Sequence, residues 1–146
     1  MSRIWFHPYT LEQVHFRQPS MLTHIGLEFT EIGDDFLRAR MPVDDRTRQP
    51  YGLLHGGASV ALAETVGSTG ANLVVDPEKY SCVGQEINAN HVRGVKDGFV
   101  IGTARPYHLG RTSHVWEIRI VDERDKLVCI SRLTMSVLDQ PRLPKP

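Results

Sequence analysis

Cysteine is scarce in this chain: only Cys82 and Cys129 occur in 146 residues, in neither C-x-x-C nor zinc-ligand spacing. That excludes a disulfide scaffold and fits reduced thiols in a cytoplasmic protein. An excess of either charge is missing too. Lys plus Arg and Asp plus Glu each number 17, so the basic face of a dedicated nucleic-acid binder is not expected. No stretch approaches the roughly 20 apolar residues that span a bilayer, and residues 1–8 lack the core of a signal peptide. Neither nucleic acid nor membrane is therefore an expected partner. There is no Gly-x-Ser-x-Gly elbow, phosphate-binding loop or dinucleotide fingerprint. His7, His15, His24 and His114 have no zinc-like spacing, so no metal is expected. No internal repeat is visible.

What is present reads as one globular domain over residues 1–146, since 40% hydrophobic and 23% charged residues rule out a disordered chain. Thr10-Leu11-Glu12-Gln13 has the form of a capping box and predicts a short helix to about Arg17. Ser20 predicts a second turn over Met21–His24, stopped by Gly26. Residues 27–32 and 36–41 alternate apolar and polar side chains around a Gly33-Asp34-Asp35 turn, the pattern of a hairpin. Pro42, Pro50 and Gly52 mark an irregular connection to about Leu54. A long apolar helix is expected from near Gly57 to about Val75, ended by Asp76-Pro77 and buried on most sides. Strands follow at 81–92, 99–107, 113–121 and 126–138, with hairpins expected at Lys96-Asp97-Gly98, Leu109-Gly110 and residues 122–125. Trp116, Ile118 and Ile120 share one face of their strand. The Pro-rich residues 140–146 read as a flexible tail. The sum is an α+β architecture: about six antiparallel strands around one long helix.

Glu64 is the anomaly in that helix. Its neighbours at three and four residues are Val60, Ala61, Gly67 and Ser68, which offer one hydroxyl and no cation. A carboxylate there loses hydration with no local partner. Two readings stand: a structural acid paired with a distant arginine such as Arg93 or Arg111, or a group kept for its chemistry.

The run from Gln49 to Ser59 (QPYGLLHGGAS), followed by Ala61-Leu62-Ala63-Glu64, closely resembles the signature of hotdog-fold acyl-CoA thioesterases. The resembling branch includes 4-hydroxybenzoyl-CoA, phenylacetate-pathway and 1,4-dihydroxy-2-naphthoyl-CoA thioesterases. Met41-Pro42-Val43-Asp44, residues 83–91 and His108-Leu109-Gly110-Arg111 extend the match. The resemblance implies a sheet wrapped around the helix, homodimers with active sites between subunits, and homotetramers. It implies that Glu64 of one subunit is nucleophile or general base and meets Gln49, His55 and Gly56 of the other. The Gly56 amide would be the oxyanion donor, and Ser68 would orient water or hold the carboxylate. Gln49 would position the carbonyl or the water. Coenzyme A, as part of the substrate and not as a cofactor, is implied to contact Gly84, His91, Val92, Arg93, Gly94, His108, Leu109, Gly110, Arg111, Thr112 and Ser113. Gly94 and Val92 depart from the pattern, which has Pro and a second His there.

Plainer roles exist for each of these. His55 also reads as a helix cap, Gly56-Gly57 as a tight turn, Ser68 as a hydroxyl bonded back to its own helix, and the arginines as solvated surface. The expected activity is hydrolysis of an aromatic or medium-size acyl-CoA, or of an acyl-carrier-protein thioester. The rivals are a non-catalytic acyl-CoA sensor and a hotdog hydratase or dehydratase.

Overall fold

The computed structural model describes residues 2–140. Two single-turn helices come first, α1 (Leu11–Val14) and α2 (Met21–His24). The Gln13 side chain accepts the Thr10 backbone N–H at 2.8 Å, which is the return half of the expected capping box. The helix stops short of Arg17 because His15 already has extended backbone, φ −64° and ψ 132°. Beyond α2, Gly26 turns the chain at φ 75°, a left-handed conformation that its missing Cβ makes accessible.

Six strands build one antiparallel sheet: β1 (Glu28–Ile32), β2 (Leu37–Pro42), β3 (Tyr80–His91), β4 (Phe99–Leu109), β5 (Ser113–Asp122) and β6 (Leu127–Asp139). Their spatial order is β1-β2-β4-β5-β6-β3. The β1–β2, β4–β5 and β5–β6 hairpins are the expected ones. The hairpin expected at Lys96-Asp97-Gly98 does not form, because β3 pairs with β6, from Tyr80↔Asp139 to His91↔Cys129. Gly98, at φ 76°, instead turns the chain into β4 and accepts the Val43 N–H at 2.8 Å. The turn chemistry is the same in both cases; which strand β3 pairs with is a long-range choice. As a result β3 lies at one margin of the sheet with its outer edge unpaired.

The sheet wraps α3 (Gly56–Val74), which makes the fold a hotdog. Alternation along β5 buries His114, Trp116, Ile118 and Ile120 against the helix and turns Glu117 and Arg119 outward. Glycines let α3 lie close: a Cβ on Gly67 would come within 2.7 Å of Leu133 and 3.2 Å of Ile118, and one on Gly70 within 3.1 Å of the Trp116 ring. Trp116 is also stacked by Trp5, ring centroids 6.5 Å apart. The expectation that α3 is buried on most sides is met, since Gly57 is the only exposed residue of the helix. One stripe is fully buried, namely Ser59, Leu62, Ala63, Val66, Gly67, Gly70 and Ala71, while Glu64, Thr65 and Ser68 are only half-buried. Gln140 is anchored, its N–H donating to Lys79 O at 2.9 Å; the rest of the expected flexible tail, residues 141–146, lies outside the described residues.

Candidate active site

The connection from β2 to α3 folds into a small hairpin of its own. Arg48 and Leu54 form an antiparallel bridge, and Gln49 N–H donates to Leu53 O at 2.8 Å. Pro50 and Tyr51 occupy the turn, which Gly52 closes at φ 87° with its N–H on Gln49 O at 3.0 Å. His55 N–H donates to Thr47 O at 2.8 Å, and the buried Thr47 hydroxyl donates to Pro42 O at 2.7 Å. This framework presents His55 as the N-cap of α3. Its Nδ1 accepts the Gly57 N–H at 2.8 Å, so the neutral ring carries its proton on Nε2. The cap reading of His55 is thus correct and leaves Nε2 available as a donor.

Gly56 opens the helix, and among the described residues its N–H has no hydrogen-bond partner. The amide sits where unpaired donors and the helix dipole favour negative charge. A Cβ at this position would lie 2.9 Å from His91 Nε2, so only glycine lets that ring approach. The amide borders a cleft of about 410 Å³ lined by Gln49, Leu53, Leu54, Gly56, Ser59, His91, Val92, Arg93, Gly94 and Val128. Six of the residues singled out in the sequence therefore meet around one cavity, with His55 beside it. Gly94 is approached by the Leu53 side chain, 3.2 Å from where its Cβ would be.

Glu64 lies elsewhere. Its carboxyl rests against β3 at Gly84, where a Cβ would collide with Oε1. Among the described residues it has neither a salt bridge nor a hydrogen bond, so the ion pair with Arg93 or Arg111 does not form. Arg93 is committed to the Asp122 carboxylate and to Lys126 O at 3.3 Å. Asp122 is held below its usual 3.8 chiefly by the Lys126 N–H, with Arg93 and the Arg124 N–H adding to the effect. Ser68 does not bond back to its helix, whereas Thr65 does, donating to Ala61 O at 2.6 Å. Instead the Ser68 carbonyl accepts from Asn72 Nδ2 at 2.9 Å. That same Asn72 clamps α3 to β3, taking the Cys82 N–H at 2.8 Å and donating to Cys82 O at 3.0 Å. The clamp thus joins the helix to β3 two residues from Gly84, the residue against which Glu64 rests. Sequence reasoning does not reach Asn72, since an asparagine late in a helix carries no signal of its cross-element partner.

The segment His108, Leu109, Gly110, Arg111, Thr112 and Ser113 forms the β4–β5 hairpin, closed by Gly110 N–H on Ser113 O at 2.8 Å. Its register runs Ser113↔Ser136↔Val83 and His114↔Met135↔Gly84, so the hairpin belongs to the Glu64 end of the sheet. Arg111 is exposed and has no ion pair among the described residues. Neither thiol is suited to attack: burial pushes Cys82 up to about 11 and also raises Cys129.

The site residues thus fall into two groups within one chain. Eight helical positions put Gly56 and Glu64 about 12 Å apart along α3. Seven strand positions put His91 and Gly84 about 23 Å apart along β3. The Gly56 amide and the Glu64 carboxyl therefore belong to different ends of the site within one copy.

A long helix wrapped by one six-stranded antiparallel sheet defines a hotdog-fold protein. The chain belongs to the thioesterase superfamily, whose family model matches residues 51–129. It is 49% identical to the 1,4-dihydroxy-2-naphthoyl-CoA hydrolase of Escherichia coli over 136 residues, 92% of this chain and 99% of that protein. It is equally, at 49%, identical to the proofreading thioesterase EntH of Cronobacter turicensis, over 92% of this chain and 98% of the relative. A crystal structure of a mutant of thioesterase PA1618 from Pseudomonas aeruginosa superposes with a TM-score of 0.91 at 50% identity, covering 93% of this chain and 99% of that one.

Proposed function

We propose that this protein hydrolyses acyl-CoA thioesters of aromatic or medium-size acids to the free acid and CoA, at sites completed by a second copy of the chain. The observation that carries the reading is the pairing of two unsatisfied groups on α3: the Gly56 N–H at its start and the Glu64 carboxylate two turns on. The free edge of β3 supplies a way to join them. When two copies pair β3 to β3 antiparallel about a two-fold axis, the Gly84 end of one strand runs beside the His91 end of the other. Glu64 of one copy then faces the Gly56 cleft of its mate. Pairs of such dimers would form the homotetramer, in the cytoplasm.

In that setting the Gly56 N–H binds the thioester carbonyl oxygen and takes up negative charge as the carbon becomes tetrahedral. Glu64 either attacks the carbon and is released by water, or removes a proton from a water that attacks directly. Either way the C–S bond breaks, CoA leaves as the thiol and the acid is freed. His55 Nε2–H offers a further donor at the cleft mouth, while Ser68 lies one turn beyond Glu64. The CoA end would rest on His91, Val92, Gly94 and the His108–Ser113 hairpin. Arg93 is less suited than Arg111 to bind phosphate, being paired with Asp122. The activity of the 1,4-dihydroxy-2-naphthoyl-CoA hydrolase favours an aromatic acyl group for this chain as well.

The test is thiol release from a panel of aromatic and straight-chain acyl-CoAs. Glu64→Gln and Glu64→Ala should lower kcat roughly 10²–10⁴-fold with the melting temperature intact. Normal turnover by either variant would refute the mechanism, and binding without thiol release by the unaltered protein would point to a sensor.

A further inference from the structure

Ser59 is the one polar side chain on the fully buried stripe of α3. It is 1% exposed yet lines the Gly56 cleft, so the little surface it keeps opens there. Among the described residues its hydroxyl makes no hydrogen bond. The usual outlet for a helical serine is the carbonyl four residues back. Here that carbonyl belongs to His55 and already accepts the Ala58 and Ser59 N–H groups, at 3.0 and 3.2 Å. Thr65, in the same helix, does take the equivalent outlet, on Ala61 O at 2.6 Å. A buried hydroxyl without a partner is unfavourable unless the partner arrives with a ligand.

Ser59 lies three positions beyond Gly56, about 4.5 Å along the helix axis, on the same side of the helix. Its Cα–Cβ bond leans back toward the helix start, so the hydroxyl and the Gly56 N–H face one stretch of the cleft. In a CoA thioester whose carbonyl oxygen sits on that N–H, a sulfur and two methylenes lead to a secondary amide. Its N–H needs an acceptor wherever water is excluded. The cleft is poor in them: no carboxylate lines it, and Gln49 Oε1 is taken by the Tyr51 N–H. His91 can accept as well, but it is exposed and has water to serve it. The acyl group is a poorer match for Ser59, because aromatic and straight-chain acids share no polar atom at a fixed distance from the carbonyl. We infer that the Ser59 hydroxyl accepts the amide N–H nearest the sulfur and so selects for an amide-bearing thiol arm, whatever acid that arm carries. The inference rests on the thioesterase reading above and deepens it.

The test compares two substrates on the full-length protein: the benzoyl thioester of pantetheine, and its analogue in which an ester oxygen replaces the N–H of the cysteamine amide. The wild type should prefer the amide about tenfold in kcat/KM, the worth of one buried hydrogen bond, chiefly through KM. In Ser59→Ala that ratio should collapse to about one, because the acceptor is gone. Ser59→Cys keeps the size of the side chain and offers only a weak acceptor, so its ratio should fall between the two. A merely structural serine would behave differently: its loss would slow both substrates alike and leave the ratio where it was. A wild type indifferent to the exchange, or a Ser59→Ala protein that keeps the wild-type ratio, would overturn the inference while leaving the thioesterase reading in place. No thiol release from benzoyl-CoA or any other acyl-CoA by the unaltered protein would overturn both.

Discussion

His114 shows how much one side chain depends on its surroundings. From sequence it is one of several histidines without metal spacing; in the fold it is 2% exposed, with Nδ1 unpartnered, between Trp116 and the row that leads to Gly84. Burial above all, and the nearby His108 second, hold its pKa below the usual 6.5. A base with a depressed folded-state pKa binds fewer protons folded than unfolded, so stability rises with pH across the interval between the two values. It is complete above 6.5 and declines as pH falls beneath it. His114→Gln should therefore flatten the drop in melting temperature between pH 7.5 and 5.5. An unchanged slope would show that other groups govern acid sensitivity. Glu64 illustrates the opposite case: its oddity was legible in the helix pattern, because no neighbour on its face carries positive charge. That it rests on Gly84 was not legible, since twenty residues and a change of element separate them.

At the level of elements, α3 and the strands were readable to within a residue or two, because apolar spacing and turn residues act locally. The exceptions are informative. Gly98 announces a turn, but a turn into β4 and a hairpin from β3 use the same backbone conformation. Glycine is a poor helix former, and only the sheet reveals what Gly67 and Gly70 do in α3, which is to let β5 and β6 approach. Gly67→Val should destabilise the protein by about 1–3 kcal/mol through overpacking against Leu133 and Ile118, measured by urea unfolding. A stability equal to wild type would mean that the helix can lift from the sheet without penalty. Asn72, which ties α3 to Cys82, belongs to the same class of long-range device.

For the whole molecule the decisive matter is that one copy keeps the Gly56 cleft and the Glu64 carboxyl apart. If catalysis needs Glu64 from one chain and the Gly56 cleft from another, two impaired variants should rescue each other. Glu64→Ala and Gln49→Ala, unfolded together and refolded as a mixture, should regain about a quarter of wild-type thiol release, since half the dimers are mixed and each carries one intact site of two. Sites contained within single chains would give no recovery. Sedimentation of the mixture measures whether mixed dimers formed.

The sequence alone determined the α+β composition and the hotdog resemblance, since these follow from local spacing and from a contiguous signature around His55-Gly56-Gly57. The tertiary structure decided which of the residues singled out meet: β3 pairs with β6, Arg93 turns to Asp122, and Gly56 borders a cleft while Glu64 rests against Gly84. Helices and turns are set by forces that decay over a few residues. Strand order and site assembly depend on contacts among positions tens of residues apart, which no local pattern encodes.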